Sequence, residues 1–223
     1  MVLTDCDSFA SGLSSSINGI TFFLKGIVTL APVISSFLIN ETKSVNTIYL
    51  QNGKVLGHNT DISGFELGIK YSKYDVKNKI VFILGAGGVA PSIILALKKM
   101  GASKIIISNR TKEKAEDLKN FFHELEVIDW GETPTFDMVI NATSIGLKNE
   151  DGIKLDYSGM GHNKFFYDVI YNPKETIFLK RAKLFGNRTE NGKMMFIYQA
   201  HQAFTIWHKL MPDIDDETIN LLE

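Results

Sequence analysis

From Asn78 onward the chain alternates short apolar runs with stretches whose apolar residues recur at helical spacing. Lys79-Ile80-Val81-Phe82-Ile83-Leu84 is β-branched and apolar on both faces, the pattern of a strand buried in a parallel sheet, and it ends in Gly85-Ala86-Gly87-Gly88. Pro91 suits a first helical turn, where its missing N–H is harmless, and Ile93, Ile94, Leu97 and Met100 follow at helical spacing until Gly101. The pattern then predicts a strand over Lys104 to Ser108 and a helix over Thr111 to Phe122 with Thr111 as N-cap. Further strands are predicted over Asp137 to Ile140 and Lys164 to Val169. Such alternation implies an α/β fold, an open, Rossmann-type doubly wound sheet with right-handed crossovers. Before Asn78 the pattern differs. Ser44 to Tyr49 and Lys54 to His58 flank Asn52-Gly53, a pair suited to a type I′ turn, so a hairpin is predicted there. After Gly192, the residues Met195, Tyr198, Gln199, Gln202, Ala203 and Ile206 predict a helix closed by Pro212, with a short helix over Asp213 to Leu222.

Composition narrows the function classes. The 223 residues carry 24 basic and 25 acidic side chains, a net charge of −1, which argues against a nucleic-acid partner that would need a basic face. One cysteine, Cys6, cannot form an internal disulfide, and the five histidines show no metal-ligand spacing, so no metal and a reducing, cytoplasmic setting are expected. Ile20 to Ile39 is apolar enough to suggest a membrane span, but Lys25, Gly26, Pro32, Ser35 and Ser36 interrupt it. A lysine near the centre of a span costs about 2.5 to 3.5 kcal/mol, so a buried strand followed by a buried helix is the preferred reading. The N-terminus has no signal-peptide pattern, and no membrane partner is expected.

Gly85-Ala86-Gly87-Gly88-Val89-Ala90 satisfies the G-x-G-x-x-A fingerprint between a strand and a helix. A bare motif of this kind also fits a glycine-rich turn without a ligand; the flanking strand and helix favour a pyrophosphate at the helix N-terminus. An NAD site typically places Asp or Glu about 20 residues past the glycines. This chain instead has Ser108-Asn109-Arg110-Thr111, then Lys112 and Lys114, donors suited to a 2′-phosphate. NADP is therefore the expected cofactor.

With that loop and Asn109-Arg110-Thr111, the segment Gly57-His58-Asn59-Thr60-Asp61-Ile62-Ser63-Gly64-Phe65 makes the chain resemble the shikimate dehydrogenase family. Ser44-Val45-Asn46-Thr47, Asn141-Ala142-Thr143-Ser144-Ile145-Gly146, Tyr167-Asp168-Val169-Ile170-Tyr171-Asn172-Pro173 and Asn191-Gly192 through Gln199-Ala200 resemble further family motifs, in family order. The resemblance implies an NADP-dependent oxidoreductase acting on a CH–OH group, interconverting 3-dehydroshikimate and shikimate in chorismate and aromatic amino-acid biosynthesis. Lys25 would then be the proton-transfer residue with Asp61 as its partner, and Thr21, Asn46, Asp61, Tyr171 and Gln199 would hold the substrate. Gly85, Ala86, Gly87, Gly88, Val89, Asn109, Arg110, Thr111 and Lys114 would hold the cofactor, with Val169 and Gly192 on its nicotinamide side.

Those residue types suit the reaction. Reducing a ring ketone needs a hydride on one side and a proton on the other. Lys25 stands in sequence among Phe22, Phe23, Leu24, Ile27 and Val28; apolar surroundings lower an ammonium pKa, whereas a neighbouring carboxylate such as Asp61 favours the charged form. A hydroxyl-rich substrate calls for amide and hydroxyl partners such as Asn46, Asn59, Thr60, Thr21 and Gln199. Singly, each has an ordinary reading: an asparagine in a turn, Asp61 as the N-cap of a helix over Ile62 to Tyr71, Gln199 as a surface residue. The chain departs from the family at Gly19 and Phe23, where the motif around the lysine has Asn and Pro. The family's Ser-x-Ser pair is expected to be missing, since Ser14-Ser15-Ser16 lie too close to Thr21. The expected organisation is a truncated α/β substrate domain over 1–61, an NADP-binding domain over 62–192, and C-terminal helices over 193–223 packing back on the first, as a monomer or homodimer. An impaired NADP-binding relative, and an enzyme preferring quinate or another ring acid, are the alternatives.

Overall fold

The computed structural model describes Thr42, residues 44–148 and residues 152–221. Cys6, Thr21, Lys25, the serines at 14–16 and the apolar stretch from Ile20 to Ile39 lie outside the described residues. The chain runs through β1 (Thr47–Gln51), β2 (Lys54–His58), α1 (Asp61–Tyr71), β3 (Ile80–Leu84), α2 (Ala90–Lys99), β4 (Lys104–Ser108), α3 (Lys112–Lys119) and β5 (Glu126–Ile128). There follow β6 (Met138–Asn141), β7 (Phe165–Asp168), α4 (Ile177–Leu184), β8 (Arg188–Glu190), α5 (Lys193–His208) and α6 (Asp216–Asn220). Among the described residues no helix is long and apolar enough to cross a membrane.

β3 to β8 form one parallel sheet in the order β5-β4-β3-β6-β7-β8, the Rossmann arrangement. Its strands alternate their apolar side chains between two cores. Val81 and Ile83 face a layer containing Ile62, Phe65, Ile93 and Leu97, while Phe82 and Leu84 face one containing Val139, Phe166 and Phe178. Chain order reverses between β3 and β6, where Leu84 pairs with Asn141, so the crevice beyond these strand ends is where this architecture binds ligands.

β1 and β2 form a separate antiparallel hairpin, and Asn52 and Gly53 take φ values of 53° and 72°, the positive pair a type I′ turn needs. α1 then lies along α5. Two glycines one helical turn apart permit this: a Cβ on Gly64 would meet Gln199 Cβ at 2.8 Å and the Met195 carbonyl at 2.9 Å, and one on Gly68 would meet the Met195 nitrogen at 3.1 Å. The far end of α5 reaches the hairpin, where the Trp207 indole donates to the Ile48 carbonyl (3.0 Å).

Several elements differ from the pattern-based expectation. The helix after β4 stops at Lys119, before Phe122, and Thr111 occupies its N-cap position without a capping side-chain bond. α5 ends at His208 because Lys209 turns left-handed (φ 56°), three residues before Pro212. Asp61 opens α1 instead of capping it; Thr60 holds the N-cap position without a side-chain cap bond, and Asn59 Oδ1 accepts from the Asp61 N–H at 3.0 Å. β5, α4 and β8 have no counterpart in the pattern: the two strands are three residues long, partly exposed and flank the sheet, so burial leaves no alternation to read.

Candidate functional site

Asn46, Thr60, Asp61 and Gln199 come together where the hairpin meets the start of α1. The Asn46 side-chain amide donates to Asp61 Oδ1 at 2.9 Å. Its carbonyl oxygen accepts from the Thr60 N–H (3.0 Å), the Thr60 hydroxyl (3.2 Å) and the Thr47 hydroxyl (3.0 Å). The Thr60 hydroxyl also lies 3.4 Å from Gln199 Oε1, and Ser63 donates to Gln202 one turn further along α5. Asp61 is 6% exposed. Burial pushes its carboxyl up to about 6, against the opposing pull of the Asn46 hydrogen bond. The result is a buried carboxylate with a raised pKa beside amides and hydroxyls, groups able to hydrogen-bond a polar ligand.

A second constellation surrounds the glycine turn. Gly85, at φ 105°, leaves no room for a side chain: a Cβ would lie 2.7 Å from Thr143 Cγ2 and 2.9 Å from the Ala142 carbonyl. Its N–H donates to the Ser108 carbonyl (2.8 Å), and the Ala86 N–H donates to Asn109 Oδ1 (3.0 Å). The Asn109 amide in turn holds the Thr111 carbonyl at 2.7 Å, so one side chain joins the glycine turn to the end of β4. Among the described residues the N–H groups of Gly87, Gly88 and Val89 have no bonded acceptor, and a Cβ on Gly87 would come no nearer than 3.7 Å to its surroundings. An open concavity lined with unpaired donors at the head of α2 fits a pyrophosphate. Arg110, Thr111 and Lys114 are exposed at the carboxyl end of β4, while Lys112 is paired with Asp129.

Beside the glycine turn lies a cleft of about 190 Å³ lined by Gly88, Val89, Thr143, Val169, Tyr171 and neighbouring residues. Tyr171 stacks on Phe196 of α5 with ring centres 4.5 Å apart. Gly192 packs against the lining residue Val169 so closely that a Cβ there would strike the Val169 carbonyl oxygen at 2.1 Å.

The walls of the cleft hang from a carboxylate not among the candidate residues. Asp168 is fully buried; its Oδ1 accepts from the Asn141 amide (3.0 Å) and the Ile170 N–H (3.0 Å), and its Oδ2 from the Thr176 hydroxyl (2.6 Å). Asn141 continues the chain of bonds to the Thr143 N–H and hydroxyl (3.0 and 2.7 Å) and to the Ile145 carbonyl (3.0 Å). Burial raises the Asp168 carboxyl to about 6, offset by its bonds to Thr176, Ile170 and Asn141. The readable signal for it is an acidic residue closing an otherwise apolar strand, Phe165-Phe166-Tyr167-Asp168.

Known proteins resemble this chain in sequence and in fold. A family model described as shikimate / quinate 5-dehydrogenase matches residues 68–147. The shikimate dehydrogenase (NADP(+)) of Pelagibacter ubique is 60% identical over 182 residues, covering 82% of this chain and 69% of that protein. Its counterpart in Caldicellulosiruptor bescii is 40% identical over 177 residues, covering 76% of this chain and 62% of that one. The crystal structure of shikimate dehydrogenase from Aquifex aeolicus superposes with a TM-score of 0.78 at 34% identity, over 92% of this chain and 75% of the other. The chain thus spans 62% to 75% of the length of these relatives.

Proposed function

The chain belongs to the shikimate dehydrogenase family, and from that premise we propose that it catalyses the reversible, NADP-dependent reduction of 3-dehydroshikimate to shikimate. It would serve aromatic amino-acid biosynthesis in the cytoplasm, as a monomer or homodimer. The observation that carries the reading is the buried Asp61 carboxylate, tied to Asn46 and ringed by Thr60 and Gln199, on the helix that directly precedes the strand and glycine turn.

NADPH, when bound, supplies the hydride. The unpaired N–H groups of Gly87, Gly88 and Val89 receive its pyrophosphate, and Arg110, Thr111 and Lys114 receive the 2′-phosphate. Gly85, Ala86 and Asn109 hold the turn in shape, and Val169 and Gly192 set the wall on the nicotinamide side. Asn46, Thr21, Tyr171 and Gln199 bind the ring hydroxyls and carboxylate. The Lys25 ammonium gives its proton to the ketone oxygen as that oxygen gains charge, and ionised Asp61 keeps the lysine protonated and oriented. Residues 1–61 and 193–223 form the substrate side and 62–192 the cofactor side; the division falls in the first turn of α1, so Asp61 stands at the junction.

The test is NADPH oxidation by the full chain with 3-dehydroshikimate, beside 3-dehydroquinate. Turnover that is faster with 3-dehydroshikimate and lost in Lys25→Ala supports the reading, whereas tight NADPH binding without turnover of either ketone overturns it. Arg110→Ala is expected to weaken NADPH by roughly 10- to 100-fold, the equivalent of a charge-assisted hydrogen bond of about 1.5 to 3 kcal/mol, while NADH changes little. Equal losses for the two cofactors would remove Arg110 from the 2′-phosphate site.

A further inference from the structure

Asn59 touches both halves of the site through a single side chain. It is 1% exposed. Its oxygen accepts from the Asp61 N–H at 3.0 Å, and its nitrogen donates to the Ser92 hydroxyl at 2.9 Å and to the Thr42 hydroxyl at 3.3 Å. Ser92 is the third residue of α2, the helix whose head is the glycine turn, and it is wholly buried. It is also the one polar side chain among that helix's seven buried residues, the others being Ala, Ile and Leu. Serine is a poorer helix former than alanine, and a buried hydroxyl costs stability unless it is bonded. Packing alone therefore gives no reason for a serine at this position; the bond to Asn59 does.

That amide is planar and rigid, so its two ends cannot move independently. A displacement of the first turn of α2 is carried through Ser92 Oγ and Asn59 to the backbone N–H of Asp61. The same displacement travels back when Asp61 is fixed from the substrate side. Two hydrogen bonds and one side chain thus make a direct route from α2 to the residues around Asp61.

We infer that Asn59 and Ser92 form a positioning pair through which occupancy of the dinucleotide turn sets the placement of Asp61, making cofactor and ring-acid binding mutually reinforcing. The inference rests on the function proposed above. Asn59, expected from the sequence as a partner of the substrate, instead spends its side chain on Asp61, Ser92 and Thr42, and both it and Ser92 are buried, so the pair acts through Asp61 and α2. Coupling of this kind is reciprocal: NADP⁺ must tighten ring-acid binding by the factor by which the ring acid tightens NADP⁺.

The experiment uses the full chain with NADP⁺ and 3-dehydroshikimate, both oxidised and therefore unable to react with each other. Each is titrated calorimetrically with and without saturating amounts of the other. In the parent chain the second ligand is expected to bind about five-fold or more tighter, in either order of addition, within the usual range of coupling between sites. In Ser92→Ala the factor is expected to fall to near one, while the affinity for each ligand alone changes less than about two-fold. General destabilisation would not move that ratio at fixed single-ligand affinities. Ser92→Cys, similar in size but a weak acceptor, carries the test if Ser92→Ala fails to fold. A parent chain without coupling, or a variant that retains it, overturns the inference and leaves the proposed activity standing. A parent chain that binds neither ligand overturns both.

Discussion

Asp61→Asn is expected to lower kcat for 3-dehydroshikimate reduction by about 10² to 10⁴, the span associated with loss of a positioned acid–base group, with NADPH affinity little changed. The substitution is nearly isosteric, and the new side chain keeps a carbonyl oxygen able to accept from Asn46, so the hydrogen bond at 2.9 Å can survive. What disappears is the negative charge beside which Lys25 is proposed to work. Titration gives a second readout. With the carboxyl raised to about 6 by burial, and held lower than that whenever a lysine ammonium pairs with it, parent activity should fall on the acid side as pH drops through about 6 or below. Residual activity of the variant should lack that limb. Stability responds with the opposite sense. A carboxyl whose folded pKa is raised contributes stability that is present below the ordinary carboxylate range and is lost as pH rises through about 6, and D61N should show a flatter dependence across that window. A variant within a few fold of the parent in kcat would exclude Asp61 from the chemistry.

Asp168→Ala is expected to destabilise the fold by about 3 kcal/mol or more, because the Asn141 amide, the Ile170 N–H and the Thr176 hydroxyl would each lose an acceptor in a buried site. For a chain of this size that corresponds to a fall in Tm of roughly 6 to 12 °C. The loss should also be felt in the cleft, since Asn141 holds the turn through Thr143 and Ile145, and the Ile170 N–H anchors the backbone leading to Tyr171. NADPH affinity should therefore fall even at temperatures where the variant is folded. Asp168→Asn keeps an oxygen for Asn141 and Ile170 and should lose less. A melting temperature for D168A within about 2 °C of the parent would show that these three groups find other partners, and would remove Asp168 as the support of the cleft.

The sheet was legible because its strands carry their own signature. Ile80 to Leu84 and Lys104 to Ser108 are apolar and β-branched, and the glycine turn between Leu84 and Ala90 marks where strand becomes helix. The outer strands were not, because Arg188-Thr189-Glu190 and Glu126-Val127-Ile128 owe their place to neighbours already in the sheet and not to any pattern of their own. Family motifs made Asn46, Asp61 and Gln199 visible as a group although they are distant in sequence. The same letters concealed the supporting shell. Asn59 and Asp168 sit inside the quoted motifs, but only the fold brings Ser92 within 2.9 Å of the first and Thr176 within 2.6 Å of the second. A serine inside an apolar helical stretch reads as an interruption until its partner, thirty-three positions away, is seen.

The course of α5 has a mechanical consequence. The helix is pinned at its origin, where Gly192 abuts the Val169 carbonyl, passes Gln199 beside Thr60, and reaches Ile48 through Trp207. At 1.5 Å per residue, Gln199 lies about 10 Å from the pinned end and Trp207 about 22 Å. Treated as a stiff rod hinged at the glycine, it moves the Gln199 amide less than half as far as its tip, so a displacement of the β1–β2 ribbon reaches the group near the aspartate at reduced amplitude.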